Sequence, residues 1–168
     1  MASLWHKPQQ PPKKSPRADM TFDKRTEGNI ATLVPKAQEK ARQFMTAILP
    51  ILEEKGCTAK IISGTRSYDE QDDLYAKGRT VAGAKVTNAR GGYSNHNFGI
   101  AWDIGIFKGE KYLPETYLYG TCGEVGKSLG LEWGGDWKSI QDEPHFQLKT
   151  GLTLAEMRER VAKGESII

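Results

Sequence analysis

Cysteine is scarce in this chain, with two in 168 residues, Cys57 and Cys122. They lie far apart and outside the close pairing of a cysteine metal site. Both read as buried small hydrophobes, and sequence does not test whether their geometry allows a bridge between them. No run approaches the ~18–20 apolar residues of a membrane span, so no stable membrane insertion is expected. The first residues carry no apolar stretch behind their basic ones, so no secretory signal is expected. An excess of charge of one sign is nearly absent too: the net balance is +3 and the pI about 8.8. That mild bias favours an anionic polymer as partner, but the basic residues are scattered. No motif interleaves them with aromatics, and no nucleic acid is expected. Histidine is scarcest of all after cysteine: three residues, His6, His96 and His145.

The remaining composition is that of a globular domain, long enough for one core and short for two. Residues 1–20 are rich in Pro, Lys and Gln and bury too little apolar surface to order themselves. They read as a flexible tail: a linker, a cationic tether or a remnant without function. Residues 21–168 are expected to form a single domain. From Asn29 the apolar positions Ile30, Leu33, Val34, Ala37, Ala41, Phe44, Met45, Ile48, Leu49 and Leu52 follow helical spacing. Pro35 opens the main helix after a short turn, Pro50 kinks or ends it, and Gly56 closes the segment. A short strand is expected at residues 59–63. Ser67-Tyr68-Asp69-Glu70 has capping-box spacing and starts a helix that stops at Gly78.

Residues 79–95 read as an exposed loop. Gly99 to Phe107 reads as a strand, with Ile100, Trp102, Ile104 and Ile106 on one face and Ala101 and Asp103 on the other. A helix around 115–129, a tight aromatic loop at 131–137, a last strand at 145–148 and a C-terminal helix behind the capping box Thr153–Glu156 complete the chain. There is no βαβ rhythm and no internal repeat, so the class is α+β with a small, mainly antiparallel sheet.

Two short segments carry chemistry, Ser94-Asn95-His96-Asn97-Phe98-Gly99-Ile100-Ala101-Trp102-Asp103 and Glu143-Pro144-His145-Phe146. His96 at the mouth of a strand, Asp103 on its polar face and His145 at the start of another strand can share one cleft. Two histidines and a carboxylate form the three-ligand set of catalytic zinc, which leaves a fourth position for water. Such a site also needs a base within hydrogen-bond reach of the water. Asp142, three residues before His145, and its neighbour Glu143 compete for that role. Pro144 makes the segment a rigid turn, so only one of the two faces the metal. Arg66, after the strand end Ser63-Gly64-Thr65, holds a carboxylate, stabilises an oxyanion, or forms a surface ion pair. Ser94 either donates to substrate or caps its loop. Trp133 and Trp137 either wall the cleft or pack in the core.

The pattern Ser94-x-His96-x-x-Gly99-x-Ala101-x-Asp103, with Ser63-Gly64-x-Arg66-Ser67 upstream and Pro144-His145-Phe146 downstream, resembles the peptidoglycan peptidase family. That family holds D-alanyl-D-alanine carboxypeptidases, vancomycin-resistance dipeptidases and L-alanyl-D-glutamate endopeptidases. The resemblance spans residues 27–150. It implies the fold of that family, shared with hedgehog-type domains: a small sheet flanked by helices, with zinc in a cleft on the sheet. It implies one Zn²⁺ per chain on His96, Asp103 and His145, with Asp142 as the catalytic carboxylate. It also gives Arg66 a role in transition-state or substrate binding, and Ser94 the place of the motif serine.

Asn29-Ile30-x-x-Leu33-x-Pro35 and Trp133-Gly134-Gly135-Asp136-Trp137 look most like the L-alanyl-D-glutamate endopeptidase branch. No recognisable wall-binding repeat follows the catalytic region, as in single-domain endolysins. The expectation is therefore a monomeric, wall-degrading endopeptidase acting on peptidoglycan stem peptides. It would be made in the cytoplasm and reach the wall after release, by a holin if phage-encoded. The alternatives are a D-alanyl-D-alanine carboxypeptidase and, from another class, a non-catalytic zinc-dependent binding module.

Overall fold

The computed structural model describes residues 21–168. The tail expected over residues 1–20, with His6, lies outside the described residues. The order of elements is α1 (Lys24–Ala31), α2 (Pro35–Glu53), β1 (Thr58–Ser63), α3 (Tyr68–Ala76), β2 (Ala101–Lys108), β3 (Lys111–Leu113), α4 (Leu118–Ser128), β4 (Glu132–Trp133), β5 (His145–Gln147) and α5 (Leu154–Ala162). The class is α+β, and every strand pairing is antiparallel.

Strand β2 is the spine of the sheet. One edge takes β1, and the other takes β5 along its first half and β3 along its second, with β4 outside β5. Its apolar positions Trp102, Ile104 and Ile106 are fully buried, as the alternation requires. Helix α2 lies against that face, and its stripe Ala37, Ala41, Phe44, Met45, Ile48 and Leu52 is likewise fully buried. The Phe44 ring sits 4.3 Å from that of Phe146 on β5 and 6.3 Å from Trp102. Helix α4 joins this layer through the Tyr119 hydroxyl, which donates to the Leu113 carbonyl at 3.0 Å and accepts from the Ile106 N–H at 3.2 Å.

Several local expectations shift. The short turn before Pro35 is a separate helix, α1, because the Asp23 carboxylate caps the N–H groups of Arg25 and Thr26. Pro35 does occupy the first turn of α2, but Pro50 does not end it. The helix runs on to Glu53 with Pro50 in its last turn. The aromatic loop contains a strand, since Glu132 and Trp133 pair with Gln147 and Phe146. Strand β3 folds back on β2 through a turn at Gly109, where φ is +59°, and the sequence did not announce it. Helix α4 begins at Leu118 rather than near residue 115. Cys122 is buried as expected, Cys57 is half-buried, and both are free thiols. The capping boxes at Ser67 and Thr153 form in full.

Candidate active site

The site is built where β1, β2 and β5 run side by side. Asp103 stands opposite His145 across the β2–β5 ladder and opposite Ser63 across β1–β2. His96 arrives from a single 3-10 turn, Asn95–Phe98. Ser94 caps this turn with its hydroxyl while the Asn97 side chain reaches back to the Ser94 N–H. Gly99, at φ +70°, then turns the chain into β2. The segment carrying Asp142 and His145 packs onto Gly134, where any Cβ would collide with the Asp142 carbonyl. The Asp142 N–H donates to the Gly134 carbonyl at 3.0 Å.

Three acceptor atoms converge. His96 Nε2 lies 3.1 Å from Asp103 Oδ1 and 3.2 Å from His145 Nδ1, and His145 Nδ1 lies 3.1 Å from Asp103 Oδ1. The outer ring nitrogens fix the tautomers. His96 Nδ1 donates to the Gly64 carbonyl at 2.8 Å, and His145 Nε2 donates to Gln147 Oε1 at 2.8 Å. Gln147 in turn donates to Glu132 Oε2 at 2.7 Å. With those protons spoken for, both inner nitrogens present lone pairs toward a carboxylate oxygen. Three lone pairs facing one another repel, and a cation between them resolves the conflict. Carbonyl or carboxylate partners on the far side of ligand histidines are the usual support of a metal site. The donor set therefore fits zinc, and His96, Asp103 and His145 are the ligating group that could hold a metal ion among the described residues.

The charges agree. Burial pushes the Asp103 carboxyl up, but the two imidazoles outweigh it and hold the group well below the usual carboxylate range. Burial also opposes a charge on His145, yet Asp103, Gln147 and Asp142 raise its proton affinity. A pocket that draws a proton this way also draws a cation.

The cleft above the cluster encloses about 410 Å³, and Arg66, Ser94, Trp137 and Asp142 line it with the three candidate ligands. The Asp142 carboxyl is raised from its ordinary value by burial, with help from the Asp103 charge, while His145, His96 and Arg66 pull the other way. Glu143 is exposed and outside the cleft. The Arg66 guanidinium is held on several sides. Nη2 donates to Asp103 Oδ2 at 3.0 Å, Nε and Nη2 donate to Ser63 Oγ, and Nη1 donates to Gln71 Oε1 at 3.0 Å. Ser94 acts as the cap of the His96 turn while also facing the cleft.

The two tryptophans part company. Trp137 sits over His145 with ring centroids 4.8 Å apart. Trp133 packs against the core and donates its indole N–H to the Glu143 carbonyl. Sequence reasoning missed Gln147 and Gln71, which orient His145 and Arg66. The signal for Gln147 was its place two residues from His145, on the same face of a strand.

Comparison with known proteins gives a consistent result. Residues 87–148 match a family model described as D-alanyl-D-alanine carboxypeptidase. Over 117 residues the chain is 38% identical to the peptidoglycan L-alanyl-D-glutamate endopeptidase CwlK of Bacillus subtilis strain 168, covering 64% of this chain and 70% of that protein. Among solved structures, the L-Ala D-Glu endopeptidase ChiX of Serratia marcescens superposes with a TM-score of 0.54 at 23% identity, over 80% of this chain and 93% of that one. The LD-carboxypeptidase LdcB superposes at 0.51 and 16% identity, over 90% of this chain and 72% of that one. The two superpositions speak for the fold, and the identity shared with CwlK over most of its length speaks for descent: the chain belongs to the M15 family of peptidoglycan peptidases.

Proposed function

We propose that this protein hydrolyses the L-alanyl-D-glutamate bond of the peptidoglycan stem peptide, as a monomeric endolysin with one zinc ion per chain held by His96, Asp103 and His145. The observation that carries the reading is the convergence of three lone-pair atoms in one cleft that the half-buried Asp142 carboxyl also lines. Zinc bound by such a set polarises a carbonyl and acidifies water. Asp142 takes the proton of the attacking water and returns it to the departing amine. Its burial, which favours the protonated form, suits a group that must hold a proton between two steps. Arg66 fixes Asp103 and leaves its positive charge at the cleft wall, where negative charge develops on the carbonyl oxygen. Ser94 holds the turn that presents His96. The mild basic balance of the chain suits an anionic wall.

The choice of bond follows CwlK, whose name states that activity. A second reading, D-alanyl-D-alanine carboxypeptidase, draws on the description of the matching family model. It requires a cation free to capture a terminal carboxylate. Among the described residues lining the cleft, Arg66 is the cation besides the histidines, and Asp103, Ser63 and Gln71 already engage it. That arrangement favours the endopeptidase. Digesting purified peptidoglycan and reading the products by mass spectrometry tests both. A new D-glutamate amino terminus supports the endopeptidase, free D-alanine the carboxypeptidase, and intact peptides with zinc present overturn both.

A further inference from the structure

The cleft does not end at the cluster. It opens into a groove of about 930 Å³ that shares Tyr93, Trp137 and Asp142 with it and runs on to Ile140. Tyr93 borders both spaces, and its side chain is 55% exposed. Each backbone N–H from Gly91 to Ser94 is engaged. The Gly91 N–H donates to Asp72 Oδ1 at 2.8 Å, the Gly92 and Ser94 N–H groups both donate to Asn97 Oδ1, and the Tyr93 N–H donates to the Arg90 carbonyl. Gly92 is buried against the Tyr68 ring and the Arg158 stem. A Cβ there would come within 3.1–3.2 Å of both.

Arg158 comes from α5, beyond the segment that the family model matches. It donates to the Gly92 carbonyl at 2.8 Å and lays its guanidinium over the Tyr93 ring, 4.0 Å from the centroid. No carboxylate pairs with it among the described residues. An exposed aromatic with a fixed backbone and one covered face has lost its freedom before anything binds. That is what a contact residue needs in order to hold a flexible ligand tightly.

We propose that Tyr93 grips the stem-peptide chain where it leaves the scissile bond along the groove, and that Arg158 is the positioning residue that holds the Tyr93 ring for that contact. The occupant is the peptide because the groove is continuous with the cleft that cuts it, so the inference rests on the function proposed above.

The test is steady-state kinetics on two soluble substrates, a disaccharide tetrapeptide and the minimal L-Ala-D-Glu dipeptide. On the tetrapeptide, Tyr93→Ala raises KM about 10-fold, as expected for one lost aromatic contact, with kcat within about 2-fold. Tyr93→Phe stays near wild type. Arg158→Met keeps the stem but loses the charge, and raises KM about 3-fold, in the range of one exposed cation–π contact. On the dipeptide none of the three changes KM.

The double variant Tyr93→Ala/Arg158→Met is no worse than Tyr93→Ala alone, because Arg158 acts through the ring. Additive losses, or an unchanged KM in Tyr93→Ala, overturn the proposal while wild-type cleavage leaves the function standing. If wild type cleaves neither substrate, the function falls. Calorimetry of the intact tetrapeptide then decides the grip, since equal Kd for wild type and Tyr93→Ala overturns it.

Discussion

The two faces of β2 are built from opposite materials and serve opposite ends. One face sets Trp102, Ile104 and Ile106, all fully buried, against the aromatic and aliphatic stripe of α2. The other turns Asp103 toward two imidazoles and a guanidinium. The first gains free energy by removing apolar area from water. The second collects charged and lone-pair groups at a cost that only a bound cation and a hydrogen-bonded surround offset. A single alternation in sequence thus yields a rigid platform and, 180° away, a site under electrostatic tension. The lesson is that packing on one face and ligand geometry on the other are separate tasks of the same strand.

Four experiments probe that division, from the largest effect to the smallest. Removing a ligand comes first. Asp103→Ala, His96→Ala and His145→Ala each lose zinc and activity together. A chelator lowers the Tm of wild type through lost binding but leaves that of Asp103→Ala unchanged. Zinc content and calorimetric melting check this, and an unchanged metal content in all three variants would break the comparison at its root.

Next, Asp142→Ala keeps zinc and fold but loses ~10²–10⁴-fold in turnover, whereas Glu143→Ala, exposed and outside the cleft, stays near wild type. Initial rates paired with zinc content decide it, and a dead Glu143→Ala with an active Asp142→Ala reverses the assignment.

On the apolar face, Ile104→Ala costs ~2–5 kcal/mol of stability in urea unfolding while the folded fraction retains its zinc. Loss of zinc without loss of stability would show that the faces are not independent.

A finer change, Gln147→Leu, removes the acceptor that orients the His145 ring and weakens zinc affinity ~10–100-fold, measured by competition with a chelator. An unchanged affinity would confine the site to its three ligands.

Much of this was legible in the chain. The capping boxes at Ser67 and Thr153 concern four consecutive residues, so local sequence specifies them and they form in full. The alternation of β2 and the stripe of α2 are periodic, and the periods survive folding because burial enforces them. The candidate ligands were legible because two of the chain's three histidines fall in chemically marked segments. What was missed is short or cooperative. Strands β3 and β4 are three and two residues long, too short to show a period, and they exist because β2 and β5 offer them a partner.

The sequence by itself determined the residue types of the site, the main helix and spine strand, and the alternation that puts Asp103 opposite the core, since these follow from spacing along a chain. Only the tertiary structure decided which nitrogen of each histidine faces the cluster, because the carbonyl of Gly64 and the amide of Gln147 set the tautomers from elements far apart in sequence. It also separated Trp137, over His145, from Trp133, packed against the core. And it brought Arg158 from α5 onto the ring of Tyr93, which lines the cleft. Contacts of this kind carry no periodic signal, since their energy is gained only once several separate elements have met.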